Sequence, residues 1–152
     1  MGGFRTCGRG NMNGDVADRV EITMLIARIA HLADEGNPVD YAGCFTVDAV
    51  WDLADATGLP MGTERIVGRA AIHSGVQERR EAGIQGPGSH TIHDVSSIDV
   101  HVEGPTAHAR SIFRYYRHVD ATPQLVSIGV YDDDFTLTAE GWLLNHRTIR
   151  RL

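Results

Sequence analysis

The sequence predicts an α+β domain in which helices cover one face of a curved antiparallel sheet. Three observations carry this. An apolar stripe at helical spacing runs from Ile22 to Ala33, and two shorter helical segments follow it. Glycine and proline punctuate the gaps between them. From His90 onward the hydrophobic period falls to two and stays there almost to the end of the chain. Helices first and strands afterwards are the order of an α+β fold with segregated layers. The 152 residues suffice for one domain with a real core.

The opening stretch, MGGFRTCGRGNMNG, is rich in glycine and polar residues, and residues 1–14 read as a flexible tail before a domain over 15–152. Asp18-Arg19-Val20-Glu21 resembles a capping box, an acceptor followed three residues on by an acid. Ile22, Leu25, Ile26, Ile29, Leu32 and Ala33 then form one apolar face. Gly36 and Pro38 end that helix, and a short second helix is expected from Val39 to Phe45. Ala49 to Leu53 alternates as a short strand, and Thr57 to Thr63 reads as a loop or hairpin. Gly68 to Ala82 is a third helix with Ile72 and Val76 inward.

Four antiparallel strands complete the order. Ile98, Val100 and Val102 alternate with polar residues, and Gly104-Pro105 breaks the chain. Thr106 to His118 is a long strand with Ala107, Ala109, Ser111, Phe113 and Tyr115 on one face. Gln124 to Tyr131 runs into Asp132-Asp133-Asp134, which reads as a charged break or bulge before Phe135 to Ala139. The triple acid lacks the loop glycine and distal glutamate of a calcium loop. Gly141-Trp142 opens the last strand, to about Arg150.

Composition narrows function. The net charge is −6, and the basic residues are scattered apart from the pairs Arg79-Arg80 and Arg150-Arg151, so no nucleic-acid role is expected. All 14 basic residues are arginine, which removes every lysine-based mechanism, Schiff bases included. Cys7 and Cys44 make neither a disulfide framework nor a thiolate metal site, and Cys44 reads as a small buried apolar residue. No apolar run has membrane-span or signal-peptide length, so the expected compartment is the cytoplasm, with no membrane partner.

Several stretches together resemble the SnoaL-like branch of the NTF2-like superfamily, over about Asp18 to Arg151. LADEGNPVDYAGCFTVDAVWDL is similar to its helix end followed by a Phe-x-x-Asp-Ala turn into a strand. IVGRAAI resembles the glycine-led third helix, and SHTIHDVSSIDVHVEGPTAHAR the His-bearing strand and hairpin. GVYDDDFTLTAEGWLLNHRTI resembles the closing hairpin. The resemblance implies a cone-shaped, cystatin-like fold, with a strongly curved antiparallel sheet and about three helices enclosing a pocket. It implies a homodimer or homotrimer and a small, largely apolar ligand.

In members such as scytalone dehydratase and hexachlorocyclohexane dehydrochlorinase, an Asp at the end of the first helix orients a His that removes a proton from carbon. By resemblance the matching residues are Asp34 and His90, with Asp94 four positions later. Such a pair works without a cofactor, because neutral imidazole accepts a proton near neutral pH and the carboxylate stabilises the imidazolium. Read without the resemblance, Asp34 is a solvated acid near a helix end. His93 competes with His90, but three residues apart on a strand places the two on opposite faces, which also disfavours a metal pair. His31 points away from the apolar arc. The tyrosine that relatives carry on the first helix is replaced here by the stretch Arg28-Ile29-Ala30-His31. Tyr41, Trp51, Tyr115 and Arg147 are therefore the expected substrate-binding residues. The expected activity is that of a cofactor-independent lyase or isomerase. The alternatives on the same fold are a ligand-binding protein without turnover and a structural subunit like the small (beta) subunit of a dioxygenase.

Overall fold

The computed structural model describes residues 12–55 and 65–152. The predicted α+β arrangement is present, with three helices against one six-stranded curved sheet. The helices are α1 (Met12–Asp34), α2 (Pro38–Gly43) and α3 (Arg69–Glu81). The strands are β1 (Phe45–Asp55), β2 (Arg65–Val67), β3 (Thr91–Glu103), β4 (Thr106–Arg117), β5 (Gln124–Thr138) and β6 (Gly141–Arg151). The sheet order is β2-β1-β6-β5-β4-β3. Neighbours are antiparallel except β1 and β6, which run parallel. Sequence alone suggested an antiparallel sheet throughout. The parallel pair arises because β1 precedes α3 and the four-strand meander, and the meander's last strand returns beside it.

Residues 1–11 of the expected tail and the expected loop at Thr57–Thr63 lie outside the described residues. Helix α1 begins at Met12, so the Asp18–Glu21 capping box is not a helix start. Those two acids lie on one helical face and reach the last hairpin instead. Asp18 Oδ1 accepts the Trp142 indole N–H at 2.9 Å, and Glu21 Oε1 accepts the Trp142 backbone N–H at 3.3 Å. The apolar stripe of α1 is buried as its spacing requires, through Ile22, Leu25, Ile26, Ile29 and Ala33. It packs against β3 and β6, while α3 packs against β1 and α2 joins α1 to α3.

Pro38 opens α2, with the Asn37 side chain accepting the Asp40 N–H at 2.8 Å. The start of α3 is fixed from the backbone. Gly68, at φ +94°, precedes it and donates its N–H to the Ala49 carbonyl at 2.7 Å. An L-side chain is disfavoured there. The Arg69 guanidinium donates to the Phe45 carbonyl, which anchors α3 to the first residue of β1.

Register changes shape the sheet. In β3 the pairing with β4 shifts between Ser96 and Asp99, and Ser97 sits at φ +52°. This is a bulge, and it reverses which residues face inward. Before it, Thr91, His93 and Val95 are turned in; after it, Ile98, Val100 and Val102 are. A second shift lies between Asp134 and Phe135, where β6 passes Asn145. It puts Leu144 and Arg147 on the same buried face. Of the two readings of the acidic triplet, break or bulge, the bulge holds: β5 continues through it with a register shift at its end.

Gly129 marks the tightest approach in the sheet. A Cβ there would collide with the Arg150 carbonyl oxygen and the Phe113 ring. That ring stacks on Tyr131, with centroids 4.4 Å apart. Gly129→Ala is therefore expected to lower stability by about 1–3 kcal/mol, read as a lower urea midpoint at unchanged slope.

Candidate functional site

The last residue of α1 is Asp34, and it is buried. Its carboxylate grips one residue of β3 twice. Oδ2 accepts the His93 backbone N–H at 2.8 Å, and Oδ1 lies 2.6 Å from His93 Nδ1. With the carboxylate as acceptor, Nδ1 carries the proton and Nε2 holds the lone pair. Nε2 has no hydrogen-bond partner among the described residues. The His93 ring rests against Tyr115 at a centroid distance of 5.0 Å.

This corrects the expected Asp34–His90 pair. His90 precedes β3 at φ +56°, and its exposed ring faces Asp120 at 3.6 Å. Asp94 is exposed on the outer face beside Arg114, at 3.6 Å. The physical reason is the Ser97 bulge. Counting back by twos from Ile98 turns even-numbered positions inward, whereas the bulge turns odd-numbered ones inward ahead of it. His31 is exposed, as its place on the helix requires.

The end of α1 is held from outside. The Arg80 guanidinium donates to the Leu32 carbonyl at 2.9 Å, where a cation also complements the negative helix end. Gln85 Nε2 donates to the Ala33 carbonyl at 3.3 Å, and Gln85 Oε1 accepts from Arg79 Nε at 2.9 Å. Asp34 is thus fixed by α3 and the turn after it as well as by its own helix.

His93 borders two voids, which share Trp51, Gln85 and Tyr131 as walls. The smaller, about 30 Å³, lies against Tyr41, Trp51, Tyr131 and Arg147. The larger, about 180 Å³, is walled by Trp51, Arg79, Phe113, Tyr115 and Tyr131. All four expected substrate-binding residues border one void or the other, but their free groups differ. Tyr115 is committed, since its hydroxyl donates to the Ile84 carbonyl. Arg147 is committed too: Nε and Nη2 each donate to Asp133 at 2.7 Å. Both partners are buried, so Arg147 is an interior ion pair on the sheet's inner face and not an edge contact. Burial works to lower the Arg147 pKa, but the adjacent Asp133 carboxylate and its hydrogen bonds raise it above the usual arginine value. The guanidinium lies 3.9 Å over the Tyr131 ring. Burial raises the Tyr41 pKa and pushes Tyr131 up to about 12, so both phenols stay protonated donors near neutral pH.

Three side chains of the site escaped sequence reasoning. Tyr131 and Arg79 line the larger void, and Gln85 borders both. Arg79 had a legible signal, because it stands three residues after Val76 and seven after Ile72 on the inward face of α3. Burial also raises the Cys44 thiol, in keeping with an inert buried cysteine. Among the described residues no group of three or more His, Cys, Asp or Glu could hold a metal ion. Nor, among them, is any helix long and apolar enough to cross a membrane.

A bent sheet closed by helices over a pocket bearing a His–Asp pair defines a class of pocket-bearing α+β proteins. Within it the chain belongs to the family of the SnoaL-like domain, whose model matches residues 14–148. An NTF2-like protein with a cystatin-like fold from Novosphingobium aromaticivorans is 26% identical, with a TM-score of 0.78 over 97% of this chain and 92% of that one. A candidate scytalone dehydratase from the same organism is 19% identical, at TM-score 0.69 over 93% and 88%. The beta subunit of a candidate aromatic-ring-hydroxylating dioxygenase, also from that organism, is 18% identical, at TM-score 0.70 over 91% of each chain. No curated protein matches the chain.

Asp133→Ala would leave Arg147 charged and buried without its partner. The expected loss is about 3–5 kcal/mol, measured by chemical denaturation. Replacing both residues with apolar ones of similar volume should recover much of it, because the desolvation of both charges is then removed.

Proposed function

We propose that the protein is a cofactor-independent lyase or isomerase that removes a proton from carbon in a small, largely apolar, single-ring molecule. The observation that carries this is the pairing of buried Asp34 with partly exposed His93, whose Nε2 is unengaged beside the larger void. In this reading His93 Nε2 accepts the proton, and Asp34 fixes the tautomer and stabilises the imidazolium. The C–H electron pair forms a new double bond, either as a leaving group departs with its own pair or as an adjacent double bond shifts its pair to a different carbon. In an elimination of water, the imidazolium returns its proton to the departing hydroxyl. In an isomerisation it returns the proton to the new carbon. Neither course needs an oxidant or a reductant.

The void supports the substrate size, since a cavity of about 150 Å³ accepts benzene and this one is about 180 Å³. Its walls are mostly aromatic and aliphatic, and the protonated phenol of Tyr131 among them suits polarising a carbonyl. Dehydration, the reaction named for the candidate scytalone dehydratase that shares this fold, is one elimination such a pair serves.

The test is a screen of cyclic β-hydroxy ketones and cyclic halides for elimination, with NMR detection of solvent deuterium entering recovered substrate. On any compound turned over, His93→Ala should lower kcat by about a hundredfold or more with the fold retained by circular dichroism. His90→Ala should leave turnover unchanged. Asp34→Asn can accept only one of the two His93 hydrogens, so it forces the other tautomer and should also lower kcat by about a hundredfold. Full activity in His93→Ala would overturn the assignment. Binding without turnover or exchange across the screen would favour a ligand carrier.

A further inference from the structure

Helix α1 carries a second apolar stripe. Val16, Val20 and Met24 stand four apart on it, and each is more than half exposed. Val20 and Met24 line a groove of about 930 Å³ between α1, α2 and the β5–β6 hairpin, with Val39, Trp142 and Leu143 as further apolar wall. Val39 is 69% exposed. A continuous exposed apolar surface of this kind marks a contact site. The groove shares no wall residue with either void beside His93, so it is a separate feature of the molecule.

The charge around the groove narrows the occupant. Glu21, Asp40 and Glu140 line it against one cation, Arg28. A two-fold contact with a second copy uses the same patch on both molecules, and so would set this acidic rim against itself. The segment that runs into α1 has the opposite character. Residues 1–11 hold Arg5 and Arg9 and no acid, in a chain of net charge −6, and they include the apolar Phe4. The segment also has the reach. Phe4 to Met12 spans up to about 28 Å when extended, while α1 rises about 24 Å from Met12 to Arg28. Gly10 stands two residues before α1, where such a path has to reverse, and glycine permits the turn at least steric cost.

We propose that residues 1–11 turn back along α1 of their own chain, seating Phe4 in the groove between Met24 and Val39, with Arg5 and Arg9 against its acidic rim. The contact covers the second stripe of α1. It also ties α2 and the last hairpin to the helix that carries Asp34.

The experiment uses the full chain with a nitroxide on Cys7, in a Cys44→Ala background so that one thiol is labelled. Paramagnetic broadening of backbone amide signals is read by NMR. The docked segment should erase most of the signal of Met24, Val39 and Gly43, whereas an undocked one broadens only the first turns of α1. Phe4→Ser should restore the signals of all three. Met24→Arg should restore those of Val39 and Gly43, and it keeps the fold because Met24 is exposed and arginine is a good helix former. Broadening confined to the first turns of α1 would overturn the proposal, and so would broadening unchanged in Phe4→Ser. Isotope-labelled protein without nitroxide, mixed with the spin-labelled protein, separates the two copies. Broadening of its groove signals would place the segment on a second molecule and overturn the intrachain contact.

Discussion

The organisation of the pocket depends on one carboxylate with two acceptors. Asp34 binds both the backbone N–H and the ring of His93, so it fixes where β3 lies and how its imidazole is turned. A single hydrogen bond would set one of these and leave the other free. The carboxylate keeps this geometry because α1 is anchored at both ends. Asp18 and Glu21 hold the Trp142 hairpin near one end, and Arg80 and Gln85 hold the last carbonyls at the other. Position along α1 is thereby transmitted to the ring nitrogen that faces the void.

The interior holds two guanidinium groups in contrasting states. Arg147 is neutralised by a bidentate carboxylate and supported by an aromatic face, which makes it part of the frame. Arg79 is oriented by an amide and stacked beside an indole, but its charge is not balanced. A chain without lysine meets both needs with the planar fork, which fixes direction as well as charge. The pocket therefore carries a local positive field at one end and an imidazole lone pair beside it.

Much of the fold was legible because its signals are local and periodic. The α1 stripe and the inward face of β4 follow from spacing and are buried as expected, and the short helix expected from Val39 to Phe45 is there as Pro38–Gly43. Asp34 was expected as a pair member only through the family resemblance, since its place at a helix end alone reads as a solvated acid. His93 was not, because one residue at Ser97 changes the parity of β3, and strand periodicity carries no mark of where a bulge falls. The same limit hid the inward turn of Arg147 beside Leu144 across the Asn145 shift. The missed helix start had a different cause. An acid-x-x-acid pattern looks alike whether it caps a helix or reaches across to a hairpin, and only the tertiary partner, Trp142, distinguishes them. Arg79 was hidden by the habit of reading paired arginines as solvated charge, although its helical spacing placed it inward.

The grip on the His93 backbone has a consequence for solubility. Strand β3 is the last in its sheet, and an outermost strand offers unpaired amide hydrogens to any other chain that can add to it. Asp34 occupies one of those hydrogens in the middle of the pocket-facing stretch, and α1 lies along the strand there. The carboxylate that turns the imidazole is thus also a stopper against strand addition. Removing it would uncover a place where a second molecule could begin to stack.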